Sequence, residues 1–184
     1  MDYEWLKGHS SKQKKIFEVF DPWMQETANI SEQFWSYASD QFYPFHDNEN
    51  SAVSILLGGA SRAGYSAVSE YRLRKRDRKD RRRWKDGRAD LWFVAQSKAF
   101  SFEFKRAWNA ASSKNLAEVM DDATWDIKNV PTNESDHAFA GVIAPAYDEA
   151  EVGVYEAFAK QVDFCCRLGD PQRFEVYFYL NQIR

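Results

Sequence analysis

Asp90, Glu103 and Lys105 are the residues whose types and spacing suit chemistry in this 184-residue chain. They lie in RADLWFVAQSKAFSFEFKRAW, where two strand-like runs flank a short polar turn near Gln96-Ser97. With an even-length turn, Asp90 faces Glu103, Leu91 faces Phe102, Trp92 faces Ser101, Phe93 faces Phe100 and Val94 faces Ala99. Side chains alternate along a strand, and a one-residue slip exchanges the faces. In this register one face carries Leu91, Phe93, Phe100, Phe102 and Phe104. The other carries Asp90, Ser101, Glu103 and Lys105. On an exposed hairpin two carboxylates and an ammonium would be ordinary surface ion pairs. Here the back is apolar, and the chain supplies helices enough to cover both faces. A half-buried charged cluster is costly unless its members are paired or hold a cation. Oxygen ligands without His or Cys beside them suit Mg²⁺ or Mn²⁺.

A second feature adjoins the first. From Arg72 to Arg88 the sequence is RLRKRDRKDRRRWKDGR, with 11 Lys and Arg against 3 Asp. The formal net charge is only −3, so the other 167 residues, with 14 basic and 25 acidic side chains, are strongly acidic. A basic block on an acidic protein marks a local polyanion site. Its arginines suit bidentate phosphate contact. A solvated helix end with its loop, or a nuclear-localisation signal, is the alternative.

Asp90 followed by Glu103-Phe104-Lys105 resembles the D…(D/E)-x-K signature of the PD-(D/E)XK nuclease superfamily, the restriction-endonuclease-like fold. The resemblance covers about Ser51 to Leu180. That fold has a helix, a strand hairpin bearing the motif, a helix and a further strand. Ala89 stands where the motif often has proline, and the family's first core strand is not evident in the sequence. The resemblance implies that Asp90, Glu103 and the backbone carbonyl of Phe104 hold Mg²⁺ (or Mn²⁺). It implies that Glu70, on a helix before the motif, supports the metal or its water, and that Lys105 sits by the attacking water. Arg72, Arg74, Arg76, Arg78, Arg81, Arg82, Arg83, Lys85 and Arg88 would grip phosphates without reading sequence. For Arg106 and Trp108, which follow the motif, ordinary packing is favoured over nucleic-acid contact. The implied activity is metal-dependent hydrolysis of phosphodiester bonds in nucleic acid, with DNA favoured over RNA. The alternatives are a non-catalytic nucleic-acid-binding protein on the same fold, or a protein that docks an acidic partner on its basic block. A homodimer is an expectation by analogy with enzymes that cut both strands.

Such a site needs a scaffold. The length is close to one ordinary domain, which buries roughly 70% of its unfolded surface. With 44% hydrophobic and 16% aromatic residues, the chain is neither disordered nor collagen-like. The longest stretch without an acidic or basic residue, Asn50–Ser61, has 12 residues, whereas a membrane span needs roughly 18. Asp2, Glu4, Lys12, Lys14, Lys15 and Glu18 leave no room for the apolar core of a signal peptide. A soluble, cytoplasmic protein without membrane contact is expected. Cys165 and Cys166 are adjacent and read as buried apolar residues on a helix. His9, His46 and His137 fit no metal or triad spacing.

Asp21-Pro22 reads as a helix N-cap and first position, followed by a stripe of Trp23, Ile30, Phe34, Ala38 and Phe42 that ends before Pro44. Tyr43–Asn50 reads as a loop. Val53, Leu56, Leu57, Ala60, Gly64, Ala67, Val68 and Tyr71 predict one helix over Ala52–Arg76. That helix runs through GASRAG, which has the glycine spacing of a phosphate-binding loop, but Tyr65 replaces its lysine. Leu116, Val119, Met120, Ala123, Ile127 and Val130 mark another helix, stopped by Pro131. His137–Ala144 reads as a buried strand. Asp148 and Glu151 suggest a capping box opening a helix with stripe Val152, Tyr155, Phe158, Ala159, Val162 and Cys166, closed by Gly169. Phe174–Leu180 reads as a half-buried strand. A strand within Arg81–Lys85 is not favoured by composition. The expectation is an α/β fold with a mixed sheet flanked by helices: residues 1–50 as an N-terminal helical extension and 51–184 as the nuclease-like domain.

Overall fold

The structure, a computed structural model, describes residues 1–38, 43–77, 80, 82–108, 112–147, 149–170 and 174–184. Along the chain the elements are β1 (Tyr3–Lys7), α1 (Lys14–Ala38), α2 (Pro44–Asp47), α3 (Glu49–Arg62), β2 (Ser66–Arg76), β3 (Trp84–Ala95), β4 (Lys98–Arg106), α4 (Ser113–Lys128), β5 (His137–Ala146), α5 (Glu149–Ala159), β6 (Phe164–Asp170) and β7 (Phe174–Gln182). The strands form one mixed sheet in the order β1-β6-β7-β5-β4-β3-β2. Neighbours are antiparallel except β4 and β5, which run parallel across the connection through α4. The α/β class with a mixed, helix-flanked sheet is as the sequence implies.

The β3–β4 hairpin has the expected register. Leu91 pairs with Phe102, Trp92 with Ser101, Phe93 with Phe100 and Val94 with Ala99. Gln96 and Ser97 both have positive φ, 50° and 60°, the left-handed pair of a two-residue hairpin turn that matches strand twist. Leu91, Phe93, Phe100, Phe102 and Phe104 share a core with α1 and α3. The indole of Trp23 meets the rings of Phe93 and Phe102 at 5.2 and 5.0 Å. The opposite face is covered by Leu116, Met120, Ala123 and Ile127 of α4 and by Tyr155 and Phe158 of α5.

Several local expectations are corrected. The Ala52–Arg76 helix stops at Arg62, with Gly64 at φ +86°, and Ser66–Arg76 is strand β2. Ala67, Val68 and Tyr71 satisfy a helical spacing, but pairing from Ser66–Val94 to Arg76–Trp84 prevails. β2 closes one edge of the sheet, where a Lys- and Arg-rich strand is tolerated and discourages further pairing. β3 accordingly begins at Trp84, inside the basic block. Arg78 and Arg81 lie outside the described residues. Pro22 is inside α1 rather than at its start. The loss of one backbone hydrogen bond there is outweighed by burial of Ile16, Val19, Phe20, Trp23 and Met24 on both sides. The Asp21 carboxylate accepts from Tyr3 Oη and Trp5 Nε1, at 3.1 and 2.9 Å, instead of capping. Phe42 and the side chain of Ala38 lie outside the described residues.

The span Tyr43–Asn50 is not a loop: it holds α2, and Asn48 Oδ1 caps α3 by accepting from Ser51 N at 2.9 Å. Asp148 is outside the described residues, while Glu151 accepts from Tyr147 N. Cys165 and Cys166 are on strand β6, not on a helix. They are buried on opposite faces, as strand alternation requires. β7 is buried on both faces, because Glu175, Tyr177 and Tyr179 face the α5 side. β1 pairs with β6, and α1 packs on the sheet, so residues 1–38 share the core of the rest. No helix among the described residues is long and apolar enough to cross a membrane.

Candidate active site

The two strands that bracket Asp90 change the face they bury at that point. Leu91 and Ala67 pack on the α1/α3 side, whereas Ala89, Tyr71 and Leu73 pack on the α4/α5 side. Glu70, directly opposite Asp90 in the ladder, has φ +54° and is left out of the pairing. On the other flank the β3–β4 ladder ends at Leu91–Phe102. Beyond it Asp90 Oδ2 accepts from the backbone N–H of Phe104 at 2.7 Å. The carboxylate thus takes the place of a strand partner, which holds it beside Glu103. β4 is held in turn by its parallel pairing with β5, Glu103 to Ala140 and Phe104 to Gly141. A Cβ at Gly141 would stand 2.4 Å from the Phe104 ring. Glycine there lets Phe104 pack inward, so Glu103 and Lys105 emerge together on the α4 side.

Glu103 is only 2% exposed. Its Oε1 accepts from Lys75 Nζ of β2 at 2.5 Å. Lys105 Nζ pairs with Asp126 Oδ2 of α4 at 3.1 Å. Glu49, at the start of α3, accepts from Arg106 N at 3.0 Å. Asp90 Oδ1 and Glu103 Oε2 have no hydrogen-bond partner among the described residues.

Burial raises the Asp90 carboxyl to about 6, against the Phe104 N–H and the ammonium groups of Lys105 and Lys75. Burial, reinforced by the Asp90 charge, raises Glu103 to about 8 despite Lys75. For Lys105 burial works against the charged form, but Asp90, Glu49 and Asp126 together outweigh it and the ammonium is held above its ordinary range. Desolvation thus outweighs both ammonium groups at each carboxyl, and a buried carboxylate is stabilised in its charged form by a cation.

Among the described residues, no three His, Cys, Asp or Glu side chains gather closely enough to cage a metal. Two carboxylates, Asp90 and Glu103, are the acidic donors that the fold brings together there. Two carboxylates would leave a divalent ion most of its coordination for water and substrate, as Mg²⁺ keeps.

Asp90, Glu103, Phe104 and Lys105 are brought together. Glu70 is not part of the group: it is exposed on a strand, and its carboxylate pairs with Arg88 Nη1 at 2.7 Å. The expected helix does not reach it, because the chain turns at Gly64. Lys75, Glu49 and Asp126 were missed by sequence reasoning. Asn48 preceding Glu49 is a helix-start signal that would have found Glu49. Lys75 becomes visible only when Ser66–Arg76 is paired with β3.

The basic residues form an antiparallel ribbon rather than a helix end, with Arg72 opposite Arg88, Arg74 opposite Asp86 and Lys75 opposite Lys85. Arg72, Arg74, Arg76, Arg82, Arg83, Lys85 and Arg88 are at least partly exposed. Arg72 is paired with Asp86, Arg83 with Asp80, and Arg76 lies over the Trp84 ring at 5.2 Å.

Comparison of the chain with protein-family models, curated proteins and solved structures yields no match.

Proposed function

We propose that this chain is a metal-dependent phosphodiesterase of the PD-(D/E)XK type that hydrolyses nucleic acid, DNA in preference to RNA. The observation that carries the reading is the Asp90–Glu103 pair, Glu103 buried and Asp90 half-buried, with raised carboxyls, next to Lys105 and at the root of a basic ribbon. The element order supports it. α3, β2, the β3–β4 hairpin, α4 and the parallel strand β5 follow one another in an order compatible with the restriction-endonuclease-like fold, and on this reading β2 is its first core strand. Glu49 on α3 takes over the supporting role expected of Glu70, since its charge acts on both Asp90 and Lys105.

Asp90, Glu103 and the Phe104 carbonyl would hold Mg²⁺ or Mn²⁺, which when bound polarises a phosphoryl oxygen and lowers the pKa of its water. The chain's own groups do the rest. Asp126 fixes Lys105, whose ammonium orients the attacking water and meets negative charge developing at phosphorus. The Phe104 N–H keeps Asp90 in one orientation. Arg74, Arg82, Arg83 and Lys85 grip flanking phosphates.

The Lys75–Glu103 pair favours a second reading, in which the ammonium permanently fills the place of the cation and the protein binds nucleic acid without cutting it. Incubation with single- and double-stranded DNA and RNA, in Mg²⁺, in Mn²⁺ and in EDTA, separates the two. Cleavage in metal, abolished by EDTA and by Asp90→Asn, is the expected result. Binding without cleavage in any metal supports the second reading, and cleavage surviving exhaustive chelation overturns the mechanism.

A further inference from the structure

Beside the charged cluster lies a group of rings with no part in the chemistry above. Trp108 follows β4 and Tyr147 follows β5. These strands are parallel, so both aromatics leave the sheet at the same end, beyond Glu103. Both are exposed, Trp108 by 59% and Tyr147 by 47%. Both are also held. Arg106, itself 6% exposed, places its guanidinium 3.3 Å from the centre of the Trp108 ring. Its Nη2 donates to Tyr147 Oη at 2.9 Å and its Nη1 to the Asp47 carbonyl at 3.1 Å. Its Nε is buried without a partner among the described residues. On the other side, His46 stacks on Tyr147, with ring centres 4.9 Å apart and planes at 27°.

Large rings kept in water yet fixed in orientation are unusual, because an exposed apolar surface normally gains by packing away. The ligand that such a platform fits has flat π faces. The platform's own cation is Arg106, and the basic ribbon leaves the sheet at the same end, because β3 runs antiparallel to β4. The ligand therefore also carries regular negative charge. An acidic peptide has the charge without the faces. A duplex has both, but its bases are stacked on one another. A single strand offers unpaired bases and phosphates together, and aromatic rings with adjacent cations bind such strands with little sequence preference.

We infer that Trp108 and Tyr147 form a stacking platform for unpaired bases, so that the site takes single-stranded nucleic acid or single-stranded ends. This rests on the nuclease reading for its location, though not for its test.

The test is binding of the full chain in EDTA to three fluorescent probes of one sequence: a single strand, the same strand with abasic sites but every phosphate retained, and a blunt duplex. The wild type is expected to bind the single strand about tenfold more tightly than the abasic strand, the scale of one stacked base. Trp108→Ala should lose that roughly tenfold advantage on the single strand alone, and Trp108→Phe should keep most of it. Equal weakening on all three probes, or none, overturns the platform, as does a wild type indifferent to the abasic sites. Base-dependent binding through Trp108 by a protein that cuts nothing upholds the platform and defeats the nuclease reading. Metal-dependent cleavage with Trp108→Ala unchanged on every probe does the reverse.

Discussion

Lys75 Nζ and Glu103 Oε1 meet at 2.5 Å, although β2 and β4 are separated in the sheet by β3. The lysine reaches across the intervening strand because Leu73 and Lys75 have turned to the α4/α5 side, past the distortion at Glu70. Its ammonium occupies ground that a divalent ion would share. Lys75→Met should therefore tighten Mn²⁺ binding by roughly tenfold, the equivalent of ~1.4 kcal/mol of competition. Isothermal titration calorimetry on the metal-free protein checks this. Unchanged or weaker binding would mean that Lys75 supports the site instead of competing for it.

The raised carboxyls fix the sign of a pH effect on stability. In the folded protein Asp90 titrates at about 6 and Glu103 at about 8, above the ordinary carboxylate range of an unfolded chain. The folded state therefore binds more protons than the unfolded state from about pH 4, through Asp90 up to about pH 6 and through Glu103 up to about pH 8, so stability falls as pH rises through that window. Glu103→Gln removes the larger part. In EDTA, urea unfolding should show the variant gaining on the wild type between about pH 5 and pH 8, by on the order of 1 kcal/mol or more. A difference independent of pH would show that Glu103 is not held protonated.

The ribbon should act through charge alone. Arg74, Arg82 and Arg83 changed together to Ala should weaken binding to all sequences alike. Every phosphate that the variant no longer neutralises lowers the slope of log K against log salt by roughly 0.9 on duplex DNA. An unchanged slope would place a protein, not a polyanion, on this surface.

The hairpin was legible because alternation over Leu91–Phe104 sorts apolar from charged residues in one register only, and a slip would bury Asp90, Glu103 and Lys105 under Phe20 and Trp23. α4 and β5 were legible from an uninterrupted apolar stripe and a doubly buried run. β2 was not. SAVSEYRLRKR carries few apolar residues, and what makes it a strand is its pairing with β3, not its own pattern. The same holds for Cys165 and Cys166, which continue a helical stripe by spacing but are claimed by Tyr179 and Phe178 across β7. Glu70 follows from a helix that does not exist at that point, and Lys75 is hidden by the same helical spacing. Non-local pairing carries no mark within either strand alone.

Lys105→Ala separates catalysis from binding. The ammonium lies between Asp126, which it meets at 3.1 Å, and the charge of Asp90. Asp90, Glu103 and the Phe104 carbonyl stay in the variant, as does the basic ribbon. Nucleic-acid affinity should change little, since one cation among many is removed, and metal affinity should hold or rise slightly with a nearby positive charge gone. The chemical step should slow by about a hundredfold or more, because a charge placed where negative charge develops contributes mainly in the transition state. Asp126→Asn, which leaves Lys105 charged but unanchored, should lose less. Asp90→Ala should lose metal binding and cleavage together. Single-turnover cleavage with pre-bound substrate isolates the step. Wild-type rates for Lys105→Ala under those conditions would reduce Asp90, Glu103 and Lys105 to a buried ion-pair network with no chemistry of its own.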